Sequence, residues 1–427
     1  MKAEKIIKND YIDELGFYVI ENYDKKAPFA SFLSGIAGLE GIPMWSFYVN
    51  RGQAISSIGI RDKDNCIMEF FPANEAYKMV YSNGFRTFIK INNCEEEVIY
   101  EPFSIDTSDN ISRTIKIKNN EIRLIEINNN LGINFEISYF TLPKEDFAAL
   151  GRSVEIINKS DKKIEIEIID GLAAILPYGS TNESYKVCGN TLRSWMQGEV
   201  KEDNTAIYKV RASTGDTAKV DKVENSYFYV AFDDKKNILT PIVDTERIFG
   251  YDTSLIKPVN FENNKVEELL NGEKICYNKV PCAFTGKVTS LAPDSSTNIY
   301  SYIGYMSNSE DVNKSLNKIC SKEYFEKKVI EGNEIIEGIG KSVETKTSNS
   351  LFDNYIKQCY IDNVLRGGYP LEVGNDNKKV YYVYSRKHGD LERDYNFFSI
   401  EPNYYSQGNG NFRDVNQNRR MDVFIHP

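Results

Sequence analysis

Histidine is nearly missing from this chain of 427 residues, which has only His388 and His426. That count excludes a multi-histidine metal centre and leaves a Ser-His-Asp hydrolase few choices for its base. Tryptophan is as scarce, with 2 residues against 28 Tyr and 23 Phe. The 7 cysteines are scattered, and no second pair or histidine cluster joins Cys276 and Cys282 to complete a zinc-ligand spacing. They are therefore expected to be reduced and mostly buried. Long apolar runs are lacking too. The most apolar piece, residues 171–179, falls far short of the ~20 residues of a membrane span. The opening MKAEKIIKNDYIDELGF has neither an apolar h-region nor a small-residue cleavage site. These absences predict a cytoplasmic protein with no membrane partner. Positive charge is in deficit, with a net charge of -10 and acids and bases interleaved. No basic stripe faces a phosphate backbone, so nucleic acid is not an expected partner.

What is present suits a large soluble body. Apolar residues make up 41% and charged residues 27%, enough for a sizeable core in two or three domains. The abundance of Tyr over Trp favours strands and sites that need a flat face with a polar tip. Strand patterns recur at 45–49, 54–61 and 67–71, with a turn at 62–65, and again at 85–91, 112–118, 121–128 and 133–140. A short helix is predicted from Asn74, as N-cap, to Tyr81. Residues 152–158 and 163–170 flank Lys159-Ser160-Asp161-Lys162 and read as the clearest hairpin. There Ile164, Ile166 and Ile168 point one way, and Glu165 and Glu167 point to water. Further strands are predicted at 207–211, 227–232, 282–291 and 297–305. Many evenly spaced strands without long helices between them predict a mainly β fold, a large antiparallel sandwich. Trp45 and Trp195 are expected in its core.

The period changes near Ser309. Val312, Leu316, Ile319 and Cys320, then Phe325, Val329, Ile336 and Ile339, recur at helical spacing. Gly332, Gly338 and Gly340 weaken that helix and predict a break. A second helix is expected from Ser350, with Asp353 in a capping box and Phe352, Tyr355, Ile356 and Cys359 as its apolar stripe, ended by Gly367-Gly368. Residues 369–427 read as irregular. Within them, the run 404–420 combines Tyr404 and Tyr405, Gly and Asn residues that tolerate positive φ, and the pair Arg413-Asp414 followed by Gln417. A guanidinium that donates beside a carboxylate that accepts can grip a polyol, and Gln417 adds an amide that does both. The plain alternative is a polar surface loop. Asp390, Glu392 and Asp394 among Arg386, Lys387 and Arg393 read either as a solvated salt-bridged loop or as a sugar-binding or dimer-contact loop. Gly408-Asn409-Gly410 lacks the GK[ST] ending of a nucleotide-binding loop.

Several of these segments together resemble the inverting β-glucoside phosphorylases of the cellobiose phosphorylase type. Arg152 through Asn158, Ser160 and Asp161 look like that family's R-x-hydrophobic…N-x-S-D pair. Pro281-Cys282-Ala283-Phe284, Leu291-Ala292-Pro293-Asp294 and Ile303-Gly304-Tyr305 look like its closing sandwich strands. The helix over 310–340 is similar to its linker. Phe352-Asp353-Asn354-Tyr355 and Phe412-Arg413-Asp414-Val415-Asn416-Gln417 look like the opening of its (α/α)₆ barrel. The resemblance implies a β-supersandwich over 1–305 for carbohydrate binding or dimerisation, a helical linker over 306–347, and the first part of a catalytic barrel over 348–427. It implies that Arg413 and Asp414, with Gln417 beside them, hold the glucosyl unit of a β-glucoside disaccharide or β-glucan oligosaccharide. Inorganic phosphate would be the co-substrate of this hexosyl transfer, no cofactor would be needed, and a homodimer would form through the sandwich.

There are departures. Asn418 stands where the family commonly has an acid, and residues 386–394 form a longer stretch than in its small members. Both point toward a subgroup such as the β-1,3-glucan phosphorylases. Beyond Ser350 there is room for about three or four helices of average length, not twelve. The general acid and the phosphate-binding residues have no identifiable counterpart. The chain is accordingly expected to be an N-terminal portion of such an enzyme, inactive alone. The alternatives are a non-catalytic glycan-binding or dimerisation sandwich, and a glycosidase using two local carboxylates.

Overall fold

Strands form where β-branched and aromatic residues recur. The computed structural model describes residues 10–38, 41–93, 96–105, 108–213, 223–308, 316, 318–367, 369–383, 385–387 and 399–401. The larger of its sheets has 12 strands, all antiparallel. Its path runs Tyr11–Ile12, Tyr18–Glu21, Ile111–Ile117, Glu121–Asn128, Ile133–Thr141, Ala148–Asn158, Ser296–Met306, Ser226–Asp233, Ala206–Val210, Met196–Val200 and Ile275–Tyr277, with Ile238–Leu239 attached to Ser226–Asp233. A 5-stranded sheet runs Pro241–Ile242, Ala283–Leu291, Ile164–Leu172, Phe85–Asn93 and Glu96–Tyr100. A 3-stranded sheet joins Ala30–Phe32, Met44–Val49 and Ile55–Ile60. The described chain is mainly β with few helices, as its periodicity predicts.

The two large sheets share one core. It draws Ile137, Val154, Ile156 and Ile303 from the first and Ile89, Ile91, Ile166 and Ile168 from the second. Helices cover the reverse faces. Phe140, Phe228, Tyr300 and Tyr302 of the large sheet pack on Phe325 of the helix Lys322–Gly340. Phe88, Ile169 and Phe284 of the smaller sheet pack on Phe249, Phe261 and Val266 of three short helices. This layering explains why Ser226–Asp233 is buried at every residue: a strand covered on both faces carries a continuous apolar run. It also separates the apolar residues of 85–91, whose strict alternation predicts a single apolar face. Phe88 does not share a face with Phe85, Ile89 and Ile91, and both faces of that strand are buried.

The clearest predicted hairpin is not one. Ala148–Asn158 pairs with Ile133–Thr141 and Ser296–Met306, whereas Ile164–Leu172 pairs with Ala283–Leu291 and Phe85–Asn93. The connection at 159–163 is an arch from one sheet to the other, and 292–295 makes a second arch beside it. Asn158 ties them together. Its Oδ1 accepts from the Ser160 N–H at 3.0 Å and hydroxyl at 2.7 Å, and its Nδ2 donates to the carbonyls of Lys162 at 2.8 Å and Leu291 at 3.1 Å. The Asn158 N–H donates to the Ser295 carbonyl, and Lys159 pairs with Asp294. Deeper between the sheets, Arg152 pairs with Asp170 across the core, both buried. Arg152 Nη2 also donates to Gln53 Oε1 at 2.7 Å, and Thr87 donates to Asp170 Oδ1 at 2.7 Å.

Other expectations are corrected by local chemistry. Glu167 does not point to water. It is buried, and its carboxylate accepts the Val266 N–H at 2.8 Å, at the start of the helix Val266–Leu270. Residues 67–71 form no strand, and an isolated bridge between Gly59 and Cys66 stands just before them. The first helix spans Ala73–Asn83 behind Pro72, so Asn74 is not its N-cap. The predicted turn at 62–65 is present, with Asp62 Oδ1 accepting from the N–H groups of Asp64 and Asn65. Trp45 is buried as expected, but Trp195 is 38% exposed.

Lys322–Gly340 runs unbroken through Gly332 and Gly338. A Cβ on Gly332 would lie 2.6 Å from the Asn120 amide nitrogen, so this glycine makes room for a neighbour without breaking the helix. The next helix spans Ser350–Gly367, with Asn349 Oδ1 accepting from the Leu351 and Phe352 N–H groups and Asp353 accepting from Thr347. Its buried face carries Tyr360 and Ile361 against Ile336 and Ile339. Phe352 and Tyr355, predicted to be buried in the stripe, are exposed. Residues after 368 are not irregular throughout: Tyr369–Val373 and Lys379–Val383 form an antiparallel pair, as do Ser385–Lys387 and Ser399–Glu401. Of the described cysteines, Cys66, Cys276, Cys282 and Cys320 are buried, Cys359 is partly buried and Cys188 is exposed, all as free thiols.

Candidate functional site

Arg413, Asp414 and Gln417 lie outside the described residues, as do Asn418 and the acids Asp390, Glu392 and Asp394. Among the described residues, binding chemistry gathers in a cavity of about 1020 Å³ where the large sheet meets the helices.

Three walls build it. The edge strands and the turn after Ile111–Ile117 supply Tyr18, Asn119 and Asn120. The 3-stranded sheet supplies Phe32 and Tyr48, and the two long helices supply Asn333, Asn354, Tyr355 and Gln358. The turn is fixed on two sides. Lys118 donates its N–H to the Glu121 carbonyl at 2.8 Å, and the Asn119 carbonyl accepts the Ser34 N–H at 2.7 Å. Asn120 is only 2% exposed, and its Oδ1 has no hydrogen-bond partner among the described residues.

Charge at the rim is mostly paired. Asp10 accepts from Lys26 at 3.2 Å and from the Tyr18 hydroxyl at 3.4 Å, and Lys357 pairs with Glu337 at 2.6 Å. Burial, and then the neighbouring Asp10 carboxylate, push the Tyr18 phenol above its ordinary pKa, so it remains a neutral donor. Tyr18 and Tyr355 are 44% and 63% exposed and present open ring faces beside amides. Rings that take the C–H face of a ring-shaped ligand, with amides that donate and accept at its rim, suit a neutral polyhydroxyl compound.

Sequence reasoning missed these residues. Helical spacing puts Tyr355 on the apolar stripe, and the contrary signal is excess: Leu351, Phe352, Tyr355, Tyr360 and Ile361 are too many apolar residues for one helix face. Asn119-Asn120 reads as an ordinary turn.

Two buried charge clusters belong to the interior. Arg152–Asp170 lies between the sheets. Arg113 bonds Glu126 at 2.7 Å and Asp24 at 2.9 Å, and Glu126 also accepts from the Tyr100 hydroxyl and the Phe103 N–H. No group of three or more His, Cys, Asp or Glu side chains able to hold a metal occurs among the described residues. No helix among them is long and apolar enough to cross a membrane.

No family model and no curated protein sequence matches this chain. Solved structures with some likeness include a bacterial glucoamylase complexed with acarbose, at 10% identity and a TM-score of 0.42, covering 80% of this chain and 42% of that one. A polysaccharide lyase is similar at 10% identity and a TM-score of 0.35, covering 65% of this chain and 34% of that one. A putative kojibiose phosphorylase from the human microbiome is similar at 10% identity and a TM-score of 0.27, covering 81% of this chain and 32% of that one. The chain thus spans well under half the length of each. Likeness at these scores fixes neither chemistry nor substrate.

Proposed function

We propose that this chain is a carbohydrate-active protein, the N-terminal portion of a β-glucoside phosphorylase of the cellobiose or β-1,3-glucan type. The observation that carries the reading is the cavity, where Tyr18 and Tyr355 stand open beside Asn119, Asn354 and Gln358. Support also comes from the order of parts, a two-sheet β body followed by paired helices and then the Arg413-Asp414…Gln417 run. In this reading residues 1–305 are the sandwich, 306–347 the linker and 348–427 the opening of the catalytic barrel. Arg413 and Asp414 clasp the hydroxyls of a glucosyl unit, with Gln417 beside them.

Inverting phosphorolysis needs one acid to protonate the leaving oxygen and a nucleophile on the opposite face of the sugar. Phosphate is already an anion and attacks with little help, so the protein's part is to hold both reactants in line. The residues named here bind and orient the sugar. They supply neither the acid nor the phosphate site.

Calorimetric titration with cello- and laminari-oligosaccharides tests the binding. Saturable binding is expected, and Arg413→Ala should weaken it roughly ten- to hundredfold, since a hydrogen bond to a charged group is worth about 1.5–3 kcal/mol. Binding unchanged in Arg413→Ala would remove the clasp from the account. Incubation with phosphate and the same sugars should yield no glucose 1-phosphate from these 427 residues. If it did, an acid and a phosphate site would have to lie within them.

A further inference from the structure

We propose that the outward face of the last strands of the large sheet is a second glycan-binding surface, a platform for a neutral β-glucan chain. Only the class of ligand rests on the reading above. The surface stands at the opposite edge of the sheet from the strands that wall the cavity.

Register and burial define the face. Gln197 lies opposite both Tyr277 and Lys209, and Glu199 lies opposite both Ile275 and Ile207. Met196, Gly198, Val200 and Cys276 alternate with them and are buried. Ile207 is buried on this face, and the other, half-buried or exposed, residues share one surface with Trp195, which immediately precedes the strand. Trp195, Tyr277 and Ile275 are 38%, 47% and 36% exposed. Arg211 is fixed beside Tyr277. Its N–H donates to the Trp195 carbonyl at 2.9 Å, its guanidinium carbon lies 5.7 Å from the Tyr277 ring centroid, and Nη2 donates to Asn278 Oδ1 at 2.9 Å and to the Ser194 carbonyl. The exposed rings of Trp195 and Tyr277, a guanidinium held against Tyr277, and the amides of Gln197 and Asn278 offer apolar faces and hydrogen-bonding groups to the C–H faces and hydroxyl rims of a pyranose chain. Holding the arginine in place lowers the ordering cost of binding.

A second protein copy fits less well. The edge strand Ile275–Tyr277 has 3 residues and lies between Lys274 and Lys279, the short, charged form that resists strand addition. A stable protein contact needs roughly 800 Å² per partner. Three partly exposed side chains interrupted by Gln197 and Arg211 fall well short of that.

The chain offers its own probe. Of its 2 tryptophans, Trp45 is 1% exposed and Trp195 is open. Titrating the full chain with soluble mixed-linkage β-glucan should give a saturable change in tryptophan emission that Trp195→Gln abolishes. Tyr277→Ala, or Tyr277→Gln should the alanine variant fold poorly, should shift the midpoint at least tenfold. The cavity variant Tyr355→Ala should leave the emission titration unchanged. Calorimetry in parallel separates the claims. Glucan binding with no emission change, and equally tight in Trp195→Gln, would overturn the platform and leave the cavity reading standing. Absence of binding by both methods would overturn both. A dimer in sedimentation that Trp195→Gln dissolves would assign the face to a contact between copies and overturn the proposal.

Discussion

The side chains that resemble a family motif, Arg152 and Asn158, owe their places to structure. Arg152 is paired inside the core with Asp170, Gln53 and Thr87 around it, and Asn158 locks two adjacent arches. Removing one partner of a buried pair leaves the other charge uncompensated and costs about 3–5 kcal/mol. Arg152→Ala should therefore lower the urea midpoint by that equivalent with an unchanged denaturant slope, and a loss under about 1 kcal/mol would contradict the assignment. Asn158→Ala should lose about 1–3 kcal/mol, because it removes the side-chain donor to the buried Leu291 carbonyl. At this scale the sequence marks which residues are unusual but not what they do. Glu167 shows why. Strand alternation turned it toward water, yet a helix 99 positions away in sequence supplies its partner, Val266, and nothing local announces that.

Among the elements, the docking of Lys322–Gly340 onto the β body turns on Glu145. Burial pushes its carboxyl up, but hydrogen bonds from Lys328 and Tyr324, with the charges of Lys328 and Lys318, outweigh burial and hold it below the ordinary range. A carboxyl depressed in the folded state stabilises that state in full above its unfolded pKa, about 4.3, and loses the contribution as pH falls through the lower folded value. The stability of the wild-type chain should therefore drop between about pH 5 and 3 by more than that of Glu145→Gln. Parallel curves for the two proteins would rule this out. Most strands and both long helices were legible, because their periods extend over many residues. The arches were not. A connection of four or five residues serves a hairpin and a sheet-to-sheet crossing equally, and the choice is made by burial on both faces of the strands it joins. Gly332 misled for a related reason: helix propensity predicts a break, whereas packing of Asn120 against that position decides the outcome.

For the whole molecule, a β body with helices on its reverse faces brings together a cavity assembled from residues far apart in sequence, from Tyr18 to Gln358. That distance is why the cavity was illegible beforehand, while Arg413-Asp414…Gln417, a contiguous run, could be singled out at once. Tyr355→Ala, at an exposed position on a helix, should leave stability within about 0.5 kcal/mol and weaken sugar binding at least threefold in calorimetry. A destabilised but fully binding variant would make Tyr355 a packing residue. The most direct measurement is a crystal structure of the chain soaked with cellobiose or laminaribiose. The account predicts sugar density in the cavity, against the ring of Tyr355 and within hydrogen-bond reach of Gln358. An empty cavity, with the sugar bound only elsewhere, would contradict it.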